Sequence, residues 1–179
     1  MKPKQAMVVI DVQQALFDAV RPPYEADAVI QRINAMCARA RAANAPVIWI
    51  QHENLTTLQR STPGWQLHVA LETAEQDHWV GKKTPDAFHH TQLDAWLQQH
   101  QIQEIVVAGY ASEFCVDTSV RRAAALGYDV VIAADAHTTH DKAHASGAWI
   151  RQHHNTTLAA ISSFGNRMTA LPSSAVVFG

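Results

Sequence analysis

Cys115 stands where two sequence patterns meet. The β-branched run at 105–107 reads as a buried strand, Gly109 breaks it, and the alanine-rich run at 116–126, stopped by Gly127, reads as a helix. A thiol at a helix start faces peptide N–H groups that have no partner within the helix, together with the positive end of the helix dipole, so a thiolate is favoured there. The same position also suits a small apolar filler, and Cys115 alone does not choose between the two roles. Two further apolar runs end in groups that a nucleophilic thiol needs. Residues 6–10 lead into Asp11, and residues 77–81 lead into Lys82 and Lys83. A carboxylate can take the thiol proton and pass it to a leaving amine, and an ammonium can offset the thiolate charge. Read singly, Asp11 is equally well a turn cap after a strand.

These side chains can meet only if the strands before them share an edge. In a parallel α/β sheet the loops after the strands lie together, and ligands bind there, so Asp11, Lys82 and Cys115 could converge. The rest of the chain fits that architecture. After a loop at 13–23, residues 26–43 place Ala28, Val29, Ile33, Met36, Cys37 and Ala40 at helical spacing. Cys37 lies on this stripe as a buried structural residue. Residues 47–50 read as the second strand, and the long mixed stretch 51–76 holds Trp65, which either walls a pocket or covers the core. A strand around Trp79 follows, then a helix at 91–99 with Thr91 as its cap, a strand at 129–134, a helix at 141–154 that could run on to 160, and a weaker strand at 161–168. The alternation of strands and helices predicts one α/β domain over residues 1–179 with a mostly parallel sheet.

Three stretches together resemble a known family. They are Asp11-Val12-Gln13, the run from Lys82-Lys83-Thr84-Pro85-Asp86-Ala87-Phe88 on to Thr91 and Leu93, and Gly109-Tyr110-Ala111-Ser112-Glu113-Phe114-Cys115-Val116-Asp117-Thr118-Ser119, with Ala134-Asp135-Ala136-His137-Thr138-Thr139 extending the match. The pattern is similar to the isochorismatase-like cysteine hydrolases, which include nicotinamidases and N-carbamoylsarcosine amidohydrolases. The resemblance implies a three-layer α/β/α fold with six strands. It also implies a catalytic triad of Asp11, Lys82 and Cys115, since the family's lysine stands six positions before the phenylalanine of the Ala-Phe pair. An oxyanion hole made by the amides of Ala111 and Cys115, with a cis Tyr110–Ala111 bond, is implied in the same way. Phe17, Trp65, Tyr110, Phe114 and His137 are the pocket candidates, although such residues are as common in cores.

The expected activity is hydrolysis of a linear amide or carbamoyl carbon–nitrogen bond through a thioester, with no cofactor. The alternatives are vinyl-ether hydrolysis of the isochorismatase type, which characteristically lacks the cysteine, and a binding module without activity. Metal-binding nicotinamidases carry Asp-x-His after the second strand, where this chain has Gln51-His52-Glu53-Asn54, so no metal is expected. The 11 histidines include His137, His140 and His144, of which the first two belong to a loop by pattern and the last two are one helical turn apart, without adjacent carboxyl or thiol ligands. A net charge of −2 from 14 basic and 16 acidic residues argues against a nucleic-acid partner. Two cysteines make no disulfide framework, and the start at 1–5 has no signal-peptide core, so a cytoplasmic protein without membrane contact is expected. By analogy with the family it forms a homodimer or homotetramer.

Overall fold

The strands alternate apolar residues between two opposite cores, and this sets the layering. In the first strand, β1 (Gln5–Ile10), Ala6, Val8 and Ile10 join one core while Met7 and Val9 join the other. The structure, a computed structural model, describes residues 3–179; Met1 and Lys2, with which the N-terminal stretch read above begins, lie outside the described residues.

The remaining strands are β2 (Val47–His52), β3 (His78–Lys82), β4 (Glu104–Tyr110), β5 (Asp129–Thr138) and β6 (Met168–Leu171). All pairings are parallel, in the order β3-β2-β1-β4-β5-β6. One face is covered by α2 (Ala26–Ala42), whose Val29, Ile33, Met36 and Cys37 are buried against Met7, Val9, Trp49 and Val106. The other is covered by α3 (Leu93–Gln99), α4 (Asp117–Ala125) and α5 (Gly147–Ala159) through Leu93, Leu97, Val120, Ala123 and Leu158. The result is the three-layer α/β/α arrangement, with a sheet parallel throughout. Among the described residues no helix is long and apolar enough to cross a membrane.

Several local expectations need correction. The loop at 13–23 contains a short helix, α1 (Gln14–Phe17). The N-cap of α3 is Gln92, although the Thr91 hydroxyl accepts from the Leu93 amide at 3.3 Å. The last helix begins at Gly147 rather than at 141, because Asp141 accepts from the Gly147 amide at 2.7 Å and Ser146 caps the first turn by accepting from the Trp149 amide at 3.2 Å. The sixth strand is β6, so 161–167 is not a strand. Its start is fixed from outside the strand, where the Asp129 carboxylate accepts from the Arg167 amide at 2.8 Å.

The chain leaves β1 toward β2 and β3, then returns to pair β4 on the other side of β1. The ends of β1 and β4 therefore flank a crevice of the kind in which open α/β sheets bind ligands. Gly109 makes their close approach possible. Its φ is +118°, and a Cβ there would lie 2.0 Å from the Ile10 carbonyl oxygen, a contact backbone cannot relieve locally. Gly109→Ala is expected to cost about 3 kcal/mol or more by urea denaturation. A midpoint equal to that of the wild type would contradict this account of the crevice.

Candidate active site

Four neighbouring strands each contribute to one cluster at the carboxyl edge of the sheet. Asp11 follows β1 in a left-handed conformation, with φ of 52°. His52 ends β2 and Lys82 ends β3, and the two are register partners, so their side chains leave the same face. Beyond β4 the chain passes through Ala111 into a single π-helical turn, Ser112–Val116, which carries Cys115. This turn runs directly into α4, so Cys115 stands at the helix start as expected, in a first turn wound wider than an α-helix.

The centre of the cluster is the Lys82 ammonium, whose side chain is fully buried. Its Nζ lies 2.6 Å from Asp11 Oδ2, 3.1 Å from Cys115 Sγ, 3.1 Å from His52 Nδ1 and 3.2 Å from the Thr84 carbonyl oxygen. Asp11 is 2% exposed, and its second oxygen, Oδ1, is buried with no hydrogen-bond partner among the described residues. Lys83, the rival lysine, points outward and pairs with Glu53 at 3.2 Å. The structure thus brings Asp11, Lys82 and Cys115 into contact.

The thiol itself does not rest as the expected thiolate. Burial pushes its pKa up to about 12, and the Asp11 charge adds to this while Lys82 opposes it. Burial also pushes Cys37 up to about 12, but that residue is wholly enclosed beneath α2. Asp11, His52 and Cys115 could otherwise suggest a metal centre, since their ligand atoms all lie within 4.8 Å of one another. The Lys82 ammonium is already in contact with all three, and its positive charge stands where a metal would have to bind.

A cavity of about 220 Å³ opens onto this cluster, lined by Asp11, His52 and Cys115 at the base and by Leu16, Leu58, Pro85, Tyr110 and Phe114 on the walls. Tyr110 and Phe114 are therefore wall residues. Phe17 is buried behind the wall, edge-on to Tyr110 at 5.9 Å between ring centroids. Trp65 does not line this cavity; it lines a neighbouring groove of about 440 Å³ along edge strand β3, with Trp79, Arg60 and Lys82. His137 is a correction on two counts, since it belongs to β5 rather than a loop and is completely buried rather than lining the pocket. Its Nδ1 meets the Ser112 hydroxyl at 2.8 Å and its Nε2 meets Asn155 Oδ1 at 2.8 Å, so it braces the π-helical turn from below. Burial pushes its pKa down to about 4, which keeps the ring neutral. That use of both ring nitrogens leaves none for a metal shared with His140 and His144.

The Tyr110–Ala111 peptide bond is cis, and Ala111 and Cys115 both line the cavity. Among the described residues the Ala111 N–H donates to no acceptor. Two further residues were not singled out as functional from the sequence. His52 was noted only as a departure from a metal pattern. Gln13, fully buried, clamps the backbone of His52 by accepting from its N–H at 2.9 Å and donating to its carbonyl at 3.0 Å, and it also donates to the Trp65 carbonyl at 2.7 Å. The signal for Gln13 is present in the Asp-Val-Gln motif, since an amide three residues beyond a strand can pin the neighbouring strand's end.

Comparison with known proteins bears on the family and the fold. The isochorismatase domain profile matches residues 5–164. A streptothricin hydrolase of Streptomyces noursei is 38% identical over 139 residues, covering 76% of this chain but 50% of its own, so this chain spans about half its length. Another alignment to a streptothricin hydrolase of that organism is 33% identical over 184 residues and covers 98% of this chain and 71% of the other. The ureidoacrylate amidohydrolase RutB of Pseudomonas syringae pv. syringae is 28% identical over 179 residues, covering 76% of this chain and 71% of its own. A crystal structure of an isochorismatase family protein superposes with a TM-score of 0.86 at 33% identity, covering 94% of this chain and 98% of the other.

The environments of the two thiols give a direct expectation for the folded protein. Iodoacetamide should label Cys115 and spare Cys37, with a Cys115 rate still rising at pH 10, because the thiolate fraction grows with pH until the raised pKa is reached. Peptide mapping after a pH series measures this. Equal labelling of both cysteines, or a rate already flat at neutral pH, would contradict the burial argument.

Proposed function

The chain belongs to the isochorismatase family, and from that premise we propose that it is a cysteine amidohydrolase cleaving a linear amide or carbamoyl carbon–nitrogen bond of a small molecule. The observation that carries this reading is the buried Asp11–Lys82–Cys115 contact with one Asp11 oxygen left free. Two of its relatives are a streptothricin hydrolase and a ureidoacrylate amidohydrolase, which supports bond hydrolysis of this class. A carbonyl carbon placed against Cys115 Sγ would be attacked as Asp11 Oδ1 accepts the thiol proton. Lys82 offsets the sulfur charge during this transfer.

The carbonyl oxygen becomes an oxyanion that the Ala111 and Cys115 amides would receive. Collapse of the adduct breaks the carbon–nitrogen bond, and the leaving amine takes the proton held on Asp11. The resulting thioester is hydrolysed by water, which returns one proton through Asp11 to the sulfur and releases the carboxylic acid. One water is consumed and one amine and one acid are formed. The pocket walls suit a small, largely apolar acyl portion, and the partner is this small molecule together with further copies of the chain in a homodimer or homotetramer. No metal enters any step.

Amine release from a panel of amides, with intact-mass detection of an acyl adduct on Cys115, tests the reading. Cys115→Ala should abolish turnover while retaining substrate binding, and Asp11→Asn should lower kcat by about a hundredfold or more, the usual range for a lost general acid–base. Because the residues act as a unit, the Asp11→Asn, Cys115→Ala double variant should be no worse than Cys115→Ala. Turnover by Cys115→Ala would rule out the thioester route. Dialysis against a strong chelator should leave the rate unchanged, and loss that zinc or manganese restores would show that the ammonium does not serve as the site's cation.

A further inference from the structure

Lys82 has more acceptors than hydrogens. An ammonium carries three N–H bonds, yet Asp11 Oδ2, Cys115 Sγ, His52 Nδ1 and the Thr84 carbonyl oxygen all lie within 3.2 Å of Nζ. The carboxylate, at 2.6 Å, holds one hydrogen through a charge-assisted bond. Two hydrogens remain for three acceptors. A protonated thiol is a weak acceptor, whereas an imidazole nitrogen and a peptide carbonyl are strong ones. At rest the two hydrogens therefore go to His52 and Thr84. A thiolate would claim one of them.

We propose that His52 is a positioning residue that competes with Cys115 for the third hydrogen of Lys82 and so sets how readily the thiol ionises. The competition requires the Nδ1 of His52 to be an unprotonated acceptor with the ring hydrogen on Nε2. Burial and the Lys82 charge hold the imidazole pKa below its ordinary value, while Asp11, the Thr84 backbone beside the ring and Glu53 pull the other way, and Glu53 is itself paired with Lys83 at 3.2 Å. Cys115 also stands beside the ring, its sulfur within 4.8 Å of a ring nitrogen. The ring is therefore neutral near pH 7.

The position of the ring is built rather than incidental. His52 is the register partner of Lys82, and its peptide unit is clamped on both sides by the fully buried Gln13 side chain. Thr84 accepts through its backbone, so its side chain plays no part in this contact. His52 is the competing acceptor that a substitution can remove. With His52 in place the enzyme keeps a protonated, slowly reacting thiol until a carbonyl is bound. The inference rests on Cys115 as the nucleophile but needs no substrate to be known.

Alkylation of Cys115 by iodoacetamide, followed against pH in the full-length wild type, His52→Phe and His52→Gln, tests it. Loss of the acceptor in His52→Phe should lower the alkylation midpoint by about one pH unit and raise the neutral-pH rate about tenfold, since one pKa unit is a tenfold change in thiolate fraction. His52→Gln offers an amide oxygen as acceptor and should stay close to the wild type. An unchanged or raised midpoint in folded His52→Phe overturns the proposal, as does a His52→Gln that behaves like His52→Phe.

Buried Cys37 reports folding, because its labelling would mark a variant that has opened. Should His52→Phe open in this way, nitrogen-15 histidine spectra of the wild type at pH 7 to 8 decide the matter. An unprotonated Nδ1 supports the competition, and a proton on Nδ1 ends it. Because alkylation requires no amide, a midpoint shift without any amide turnover would refute the substrate class alone, and amide turnover without a shift would refute the role of His52 alone.

Discussion

A fully buried ammonium constrains everything around it. Taking such a charge out of water costs several kcal/mol even after relaxation, and removing one partner of a buried pair typically costs about 3–5 kcal/mol. Lys82 meets this cost with a carboxylate at 2.6 Å, a peptide carbonyl at 3.2 Å and an imidazole at 3.1 Å, so the chain around it has little freedom to move. The thiol is the remaining neighbour and the weakest acceptor. Asp11 is consequently as much a part of the fold's electrostatics as of its chemistry. In the proposed reaction the carboxylate that holds Lys82 is the same one that accepts the thiol proton.

The sheet order makes this cluster possible. With β3, β2, β1 and β4 side by side, their ends deliver Lys82, His52, Asp11 and the turn of Cys115 in that sequence across the edge. The lysine comes from two strands away and needs its long aliphatic stem to pass the end of β2, which is why an imidazole from β2 lies against it. Supports behind the edge keep these positions. Gln13 fixes the end of β2, Gly109 lets β4 lie against Ile10, and the Ser112–His137–Asn155 chain holds the π-helical turn. The neutral His137 ring and Ser112 are both completely buried, so the turn is braced by satisfied polar bonds rather than by apolar packing alone.

Much of this was legible in residue order because parallel sheets turn short apolar runs into strands with a common edge. Asp11, Lys82 and Cys115 could be brought together from the ends of such runs, and the choice of Lys82 over Lys83 came from a motif count. The reading failed where tertiary contacts decide. The residues at 141–146 look helical, but the Asp141 carboxylate is committed to the Gly147 amide. His137 looked like a loop ligand because β5 continues through Ala134-Asp135 beyond its β-branched part, and that extension is stabilised by pairing of His137 with Gly109 across the sheet. The protonation of Cys115 was also misjudged, because the position of the cysteine relative to a helix can be read along the chain whereas its burial cannot.

The raised thiol pKa is compatible with nucleophilic chemistry because of how charge is conserved within the cluster. Asp11 and Lys82 sum to zero beside a neutral thiol. Moving the proton from Sγ to Asp11 leaves that sum unchanged and exchanges the ammonium's partner, carboxylate for thiolate, across contacts of 2.6 and 3.1 Å. A low dielectric penalises the creation of isolated charge far more than its transfer between two acceptors of one cation. The apolar walls formed by Leu16, Leu58, Pro85 and Phe114 therefore need not oppose the reaction. By excluding water they strengthen the attraction between Lys82 and whichever anion it faces. In the proposed reaction new charge leaves the cluster only when the carbonyl oxygen becomes an oxyanion, and the amide of Ala111, which donates to no acceptor among the described residues, is available at that point.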